Sequence, residues 1–166
     1  MRTWEILIPI RPKCVQSVRS GRGHFHVDPA VKRWKDSIRP YIRAACPGRP
    51  SVLPIRVVRF IYSYRCPQNA SKAIRSYIED GGIVPYLGKA DVTDNLNKGI
   101  VDVCSGIVYE DDSQIWWTCN VQKVYGIKDQ IELKFEETAD VVLLNGKTGA
   151  TLDPKYEEDT TDVSLL

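Results

Sequence analysis

The stretch Gly88–Ile115, GKADVTDNLNKGIVDVCSGIVYEDDSQI, holds the readings on which fold and chemistry turn. From Asp94 to about Cys104 the apolar residues Leu96, Ile100, Val103 and Cys104 recur at helical spacing, which predicts a helix. Asp111-Asp112-Ser113 then reads as a turn that opens into a strand with apolar Ile115, Trp117, Cys119 and Val121. Across Gly126 to Asp129 a second turn leads to Ile131, Leu133 and Phe135, and the two runs make a plausible antiparallel hairpin.

Working outward, Trp4, Ile6, Ile8 and Ile10 fall on one face with Glu5 on the other and predict an opening strand with one buried side that ends at Arg11-Pro12. KCVQSVRSGRGHFH, Lys13–His26, has no period and reads as an exposed basic loop. Asp28-Pro29 is a helix start, followed by the apolar stripe Val31, Trp34, Ile38 and Ala45, with Lys35, Arg39 and Arg43 along another face. Internal Pro40 predicts a break near Arg39. Ile55 to Tyr64, apolar on both faces apart from Arg56 and Arg59, predicts a central strand. Ser71 to Asp80, closed by Gly81-Gly82, predicts a short helix, and Ile83 to Gly88 a crossing loop. The fold class is therefore α/β (α+β): a small mixed sheet with a C-terminal antiparallel hairpin and two or three helices packed on it.

The 166 residues make one domain, expected over residues 1–140, with 141–166 an acidic tail in which Val141 to Leu144 could add an edge strand. No apolar run reaches the length of a membrane span and the opening residues lack a secretion signal, so a soluble intracellular protein is expected. Five cysteines without a C-x-x-C pair fit neither a zinc knuckle nor a full disulfide framework. Net charge is +2, unevenly spread. From Glu136 onward eight acids face two lysines, leaving +8 on the preceding 135 residues, a balance that fits a polyanionic partner such as nucleic acid.

Within that basic body Asp91, Asp94, Asp102, Asp111 and Asp112 crowd into 22 residues. Two accounts stand. Asp94 can cap a helix and form i, i+4 pairs through Lys98 to Asp102, with Asp111-Asp112 merely a turn. Alternatively, carboxylates from both ends of the stretch converge on a hard divalent cation, Mg2+ or Mn2+, which without histidine or cysteine ligands is favoured over zinc. Such a centre suits phosphodiester hydrolysis. Trp116, on the polar-lined side of its strand, reads as cover for a second layer, or as a base-stacking or dimer contact. His24 and His26 read as structural or phosphate-contacting rather than as metal ligands.

D-N-x-x-K-x-x-x-D (Asp94, Asn95, Lys98, Asp102) followed by G-I-V-Y-x-D-D-S-Q (Gly106 to Gln114) resembles the RusA family of Holliday-junction resolvases, over roughly Trp4 to Phe135. The resemblance implies a homodimeric, metal-dependent endodeoxyribonuclease of DNA recombination and repair. It would cut four-way junctions by paired incisions in the cytoplasm of a bacterial host, phage or prophage encoded. The family pattern D-x-D-N-x-x-K with D-D-x-Q assigns Asp94, Lys98 and Asp112 to the site, with Mg2+ (or Mn2+) on the acids. The first acid falls on Val92, one residue past Asp91. Asp91 joins Asp94 and Asp112 as a ligand if a local bulge absorbs the extra residue, and Asp111 substitutes if not. Arg11, Lys13, Arg19, Arg22 and Lys32 are the candidates for DNA contact. The alternatives are a non-catalytic branched-DNA-binding accessory protein and a phage nuclease for other branched DNA.

Overall fold

Strand β4 (Ile55–Arg65) is the axis of a six-stranded mixed sheet, described here in a computed structural model that covers residues 1–15, 19–21, 24–26, 28–139, 143–144 and 151–152. On one side β4 pairs antiparallel with β8 (Gln130–Glu137), which in turn pairs antiparallel with β1 (Thr3–Ile8). On the other side β6 (Ile115–Thr118) and β7 (Val121–Gly126) run parallel to β4, one beside each half, and β5 (Val84–Pro85) closes the edge against β7. Between β6 and β7 the chain turns at Cys119-Asn120, where Asn120 takes a left-handed φ of 46°, a conformation that asparagine tolerates.

The alternation of β4 changes phase partway along. Val57 pairs with Phe135 and Arg59 with Lys134, so Val58 is an extra residue, and the buried set passes from Ile55 and Val57 to Phe60, Tyr62 and Tyr64 on the same face. That bulge makes a strand with one buried face read in sequence as apolar on both.

Helix α1 (Pro29–Ala45) starts where expected, with the Asp28 carboxylate accepting the Ala30 N–H at 2.7 Å. It runs unbroken through Pro40. One intrahelical bond is lost there, but Ile38 and Ile42 on either side are fully buried and hold the turn. They join Val31 and Trp34 against the sheet residues Trp4, Ile6, Ile8, Ile131, Leu133 and Phe135 in a single core. Helix α2 (Lys72–Glu79) is capped by Ser71, ends at Gly81 with φ 87°, and buries only Ile78.

Several expectations change. β4 lies between β7 and β8, so residues 115–121 and 131–135 are not paired with each other. The antiparallel C-terminal pair is instead β9 (Leu143–Leu144) with β10 (Thr151–Leu152), separate from the main sheet. The expected crossing loop contains β5. Within the basic segment β2 (Arg19–Gly21) and β3 (His24–His26) form a short antiparallel ladder, so it is not loop throughout. The rest of the acidic tail lies outside the described residues. All five cysteines are free thiols, and among the described residues no helix is long and apolar enough to cross a membrane.

Candidate active site

The site stretch enters from β5 along residues 88–90, where the Lys123 ammonium of β7 donates to the carbonyls of Gly88 (2.9 Å) and Ala90. Asp91 then caps the next turn. Its Oδ1 accepts both the N–H (2.9 Å) and the hydroxyl (2.8 Å) of Thr93. Val92–Leu96 is a π-helical turn in which the Leu96 N–H reaches back five residues to the Asp91 carbonyl at 3.0 Å. A π turn is what a helix forms when it takes in one extra residue.

Helix α3 (Asn97–Cys104) continues from it with Ile100, Val103 and Cys104 buried. Two ties fix its position. The Tyr62 hydroxyl of β4 donates to Asn97 Oδ1 at 2.8 Å, and the Val15 N–H donates to the Asn95 carbonyl at 3.1 Å. Gly99 permits the second, because a Cβ there would stand 2.5 Å from Val15 Cγ2. The segment carrying Arg11 and Lys13 is thereby laid against the helix that carries Lys98.

The second acidic motif is held as firmly. Asp111 Oδ1 accepts the Ser113 N–H at 2.9 Å, while the Gln114 side-chain oxygen accepts the Asp111 N–H at 2.8 Å, a reciprocal cap on the 3-10 turn Asp112–Gln114. The Gln114 amide nitrogen donates to the carbonyls of Ser51 and Leu53, both at 2.9 Å. Hydrogen bonds from the Ser113 side chain and N–H hold the Asp111 carboxyl below its usual range. Asp111 is thus engaged with its own turn, whereas Asp112 is exposed and, among the described residues, has no ion pair.

Tyr109 connects the two motifs. Its fully buried phenol donates to the Val101 carbonyl of α3 at 3.0 Å. Burial first, then Cys104 and the carboxylates of Asp112 and Asp102, push the phenol far above its ordinary value. Asp102 does not pair with Lys98 as the helical spacing allowed. Its partner is Lys35 of α1 at 2.6 Å, an interhelix contact that residue spacing on one helix cannot show.

A family model described as endodeoxyribonuclease RusA matches residues 8–136, more than half of the chain. The chain belongs to the RusA family. A comparison with curated proteins gave no match. Family membership supports an endodeoxyribonuclease that resolves Holliday junctions, with branched DNA as substrate.

Measured against the RusA-family motifs, Asp91 and Lys98 are exposed, one just before the π turn and one in the first turn of α3. Asp94 lies within the π turn rather than at a helix cap, and its side chain is outside those described. Among the described residues no group of three histidine, cysteine or acidic side chains is gathered in a form that could hold a metal.

Of the basic candidates, Arg11 is exposed, 3.6 Å from the Asp129 carboxylate and with its guanidinium over the Tyr64 ring. Lys13 is half-buried and Lys32 is exposed on α1. Arg19 is in β2 with its side chain outside those described, as are those of His24 and His26 in β3, and Arg22 is outside the described residues. Sequence reasoning missed the supporting groups Tyr62, Tyr109, Lys123 and Ser51. Gly99, a glycine inside a helical run, was a readable sign of close backbone approach.

Proposed function

We propose that this RusA-family chain is a Mg2+-dependent (or Mn2+-dependent) endodeoxyribonuclease that acts as a homodimer and resolves four-way DNA junctions and related branched DNA by paired phosphodiester hydrolysis. The observation that carries the reading is the Tyr109 tie. Tyr109, three residues before Asp112, donates to the Val101 carbonyl of α3, the helix that carries Lys98 and follows the π turn containing Asp94, which supports bringing the two acidic motifs into one site.

Asp91, Asp94 and Asp112 are the residues to hold the metal, a set of hard oxygen donors that suits Mg2+. The π turn favours Asp91 over Asp111, because it takes up one residue in the place where the family pattern requires it. When bound, such an ion lowers the pKa of a water for in-line attack and offsets charge on the leaving oxygen. Lys98 contributes its own cation to the phosphoryl oxygens as their charge grows. Asn95 fixes the backbone there by accepting from Val15, while Arg11, Lys13, Arg19, Arg22 and Lys32 supply positive charge toward the arms of the junction. Residues 1–140 form the nuclease unit and 141–166 an acidic appendage. A two-fold dimer presents two such centres to the two matching strands of a junction.

The test is junction cleavage by wild type and Asp94→Asn in parallel, with and without Mg2+. Wild type is expected to cut junctions only with the ion, and the variant to bind them without cutting. Cleavage by Asp94→Asn at the wild-type rate, or equal cutting of plain duplex by the wild type, would overturn the proposal.

A further inference from the structure

Strand β6 carries a second irregularity. Ile115 is opposite Ile55, but Arg56 is opposite Trp117, so Trp116 is an extra residue on the β6 side. In a regular strand neighbouring side chains point to opposite faces. Here the bulge brings the two indoles together, ring centroids 5.7 Å apart and planes tilted by 52°. Neither is core, since Trp116 is 49% exposed and Trp117 46%. Trp116 therefore covers no second layer among the described residues. The Arg56 guanidinium lies 5.2 Å from the Trp117 ring, and the Trp116 indole N–H donates to the Thr138 hydroxyl at 3.3 Å, which holds the ring in place. One residue, Ile115, separates the pair from the Asp112–Gln114 turn. Four residues of extended chain span at most about 14 Å, equal to about four base steps of 3.4 Å.

We propose that Trp116 and Trp117 form a stacking platform for a nucleobase released at the branch point of the DNA. The identity of the substrate rests on the reading of the chain as a junction nuclease; the platform itself rests on the bulge and the exposed rings. Aromatic faces stack any base, and the Arg56 guanidinium beside them is itself paired with the Glu136 carboxylate, so the rings rather than the cation carry the contact. A second copy of the chain is a poorer occupant. Two half-exposed indoles offer far less than the roughly 800 Å² per partner of a stable interface, and the surrounding body carries +8 over its first 135 residues. The platform favours branched over plain DNA because a base at a branch point leaves its stack at smaller cost than one inside a duplex.

The experiment uses the full chain without divalent ion, so that cutting does not enter, and a four-way junction with 2-aminopurine at the branch point. Wild type is expected to change the 2-aminopurine emission on binding. Trp116→Ala and Trp117→Ala are expected to abolish that change and raise the junction Kd about tenfold. Plain-duplex Kd should move less than twofold, and the Trp→Phe variants should restore both signals. Unchanged emission response in both alanine variants would overturn the platform. So would an equal loss on duplex and junction, or a loss of oligomeric state by sedimentation, which would make the rings a subunit contact. A wild type that gives the emission change yet cuts nothing with Mg2+ would keep the platform and sink the nuclease reading, and cutting without the emission change would do the reverse.

Discussion

Replacing Gln114 by alanine tests how the Asp112 turn is held. The side chain accepts the Asp111 N–H and donates to the carbonyls of Ser51 and Leu53. Ser51 keeps a second donor, the Glu110 N–H at 3.1 Å, so Gln114→Ala leaves the half-buried Leu53 carbonyl without its partner and costs the turn the bond from the Asp111 N–H, which passes to water. At about 1 kcal/mol for each lost bond, in a half-buried site, the variant should lose about 2 kcal/mol. For a chain of this size that lowers the melting temperature by about 4–8 °C. Gln114→Glu sharpens the comparison. It keeps the acceptor toward Asp111 but sets an anion against two carbonyl oxygens, so it should melt no higher than the alanine variant. Both should bind junctions normally and cut them more slowly at limiting Mg2+, with part of the rate recovered as Mg2+ is raised, because the turn that carries Asp112 is loosened rather than removed. Thermal melts and cleavage titrations are the assays. Melting within 1 °C of wild type, or a glutamate variant as stable as wild type, would refute the reasoning.

Glu137 gives a prediction in pH. Burial raises its carboxyl, but the Arg2 guanidinium and N–H and the Ser51 hydroxyl, all within 2.8 Å, outweigh this and hold it below 4.5. A depressed carboxyl stabilises the fold above the unfolded value and loses that contribution as pH falls through the folded one. Glu137→Gln should therefore cost about 1–2 kcal/mol at pH 7, and its gap from wild type should narrow below pH 4.5 in denaturant titrations. The thiols give another. Burial pushes Cys46 up to about 11 and Cys104 well above its ordinary value, so neither should react with a disulfide reagent at pH 8 in the native state, and both should react after unfolding.

Local rules carried the elements and failed at pairings. The alternation of Trp4, Ile6 and Ile8 and the Asp28-Pro29 start were legible because strand period and helix caps are properties of neighbouring residues. Nothing local says that β4 stands between β7 and β8, since strand order is settled by which faces must share a core. The two bulges, at Val58 and Trp116, hid themselves by shifting the alternation on which the reading depended. At the site the residue types were legible, clustered carboxylates with a lysine in a basic chain. The π turn at Val92–Leu96 was not foreseeable, because its backbone bonding depends on how the turn packs rather than on residue type. Nor were the supports. Tyr109, Ser51 and Gln114 act through contacts between segments tens of residues apart, and Asp102 turned from Lys98 to Lys35 for the same reason.

The pairing of β1 and β4 with β8 bears on how the molecule is made. Thr3 meets Glu136 and Ile55 meets Glu137, so the earliest and the middle portions of the chain wait for a partner that a ribosome delivers late. The emerging polypeptide can wind α1 on its own terms, but its sheet stays open until residue 137 has cleared the exit tunnel. Closure is then a long-range event that slows folding and leaves the nascent apolar strands uncovered in the interval.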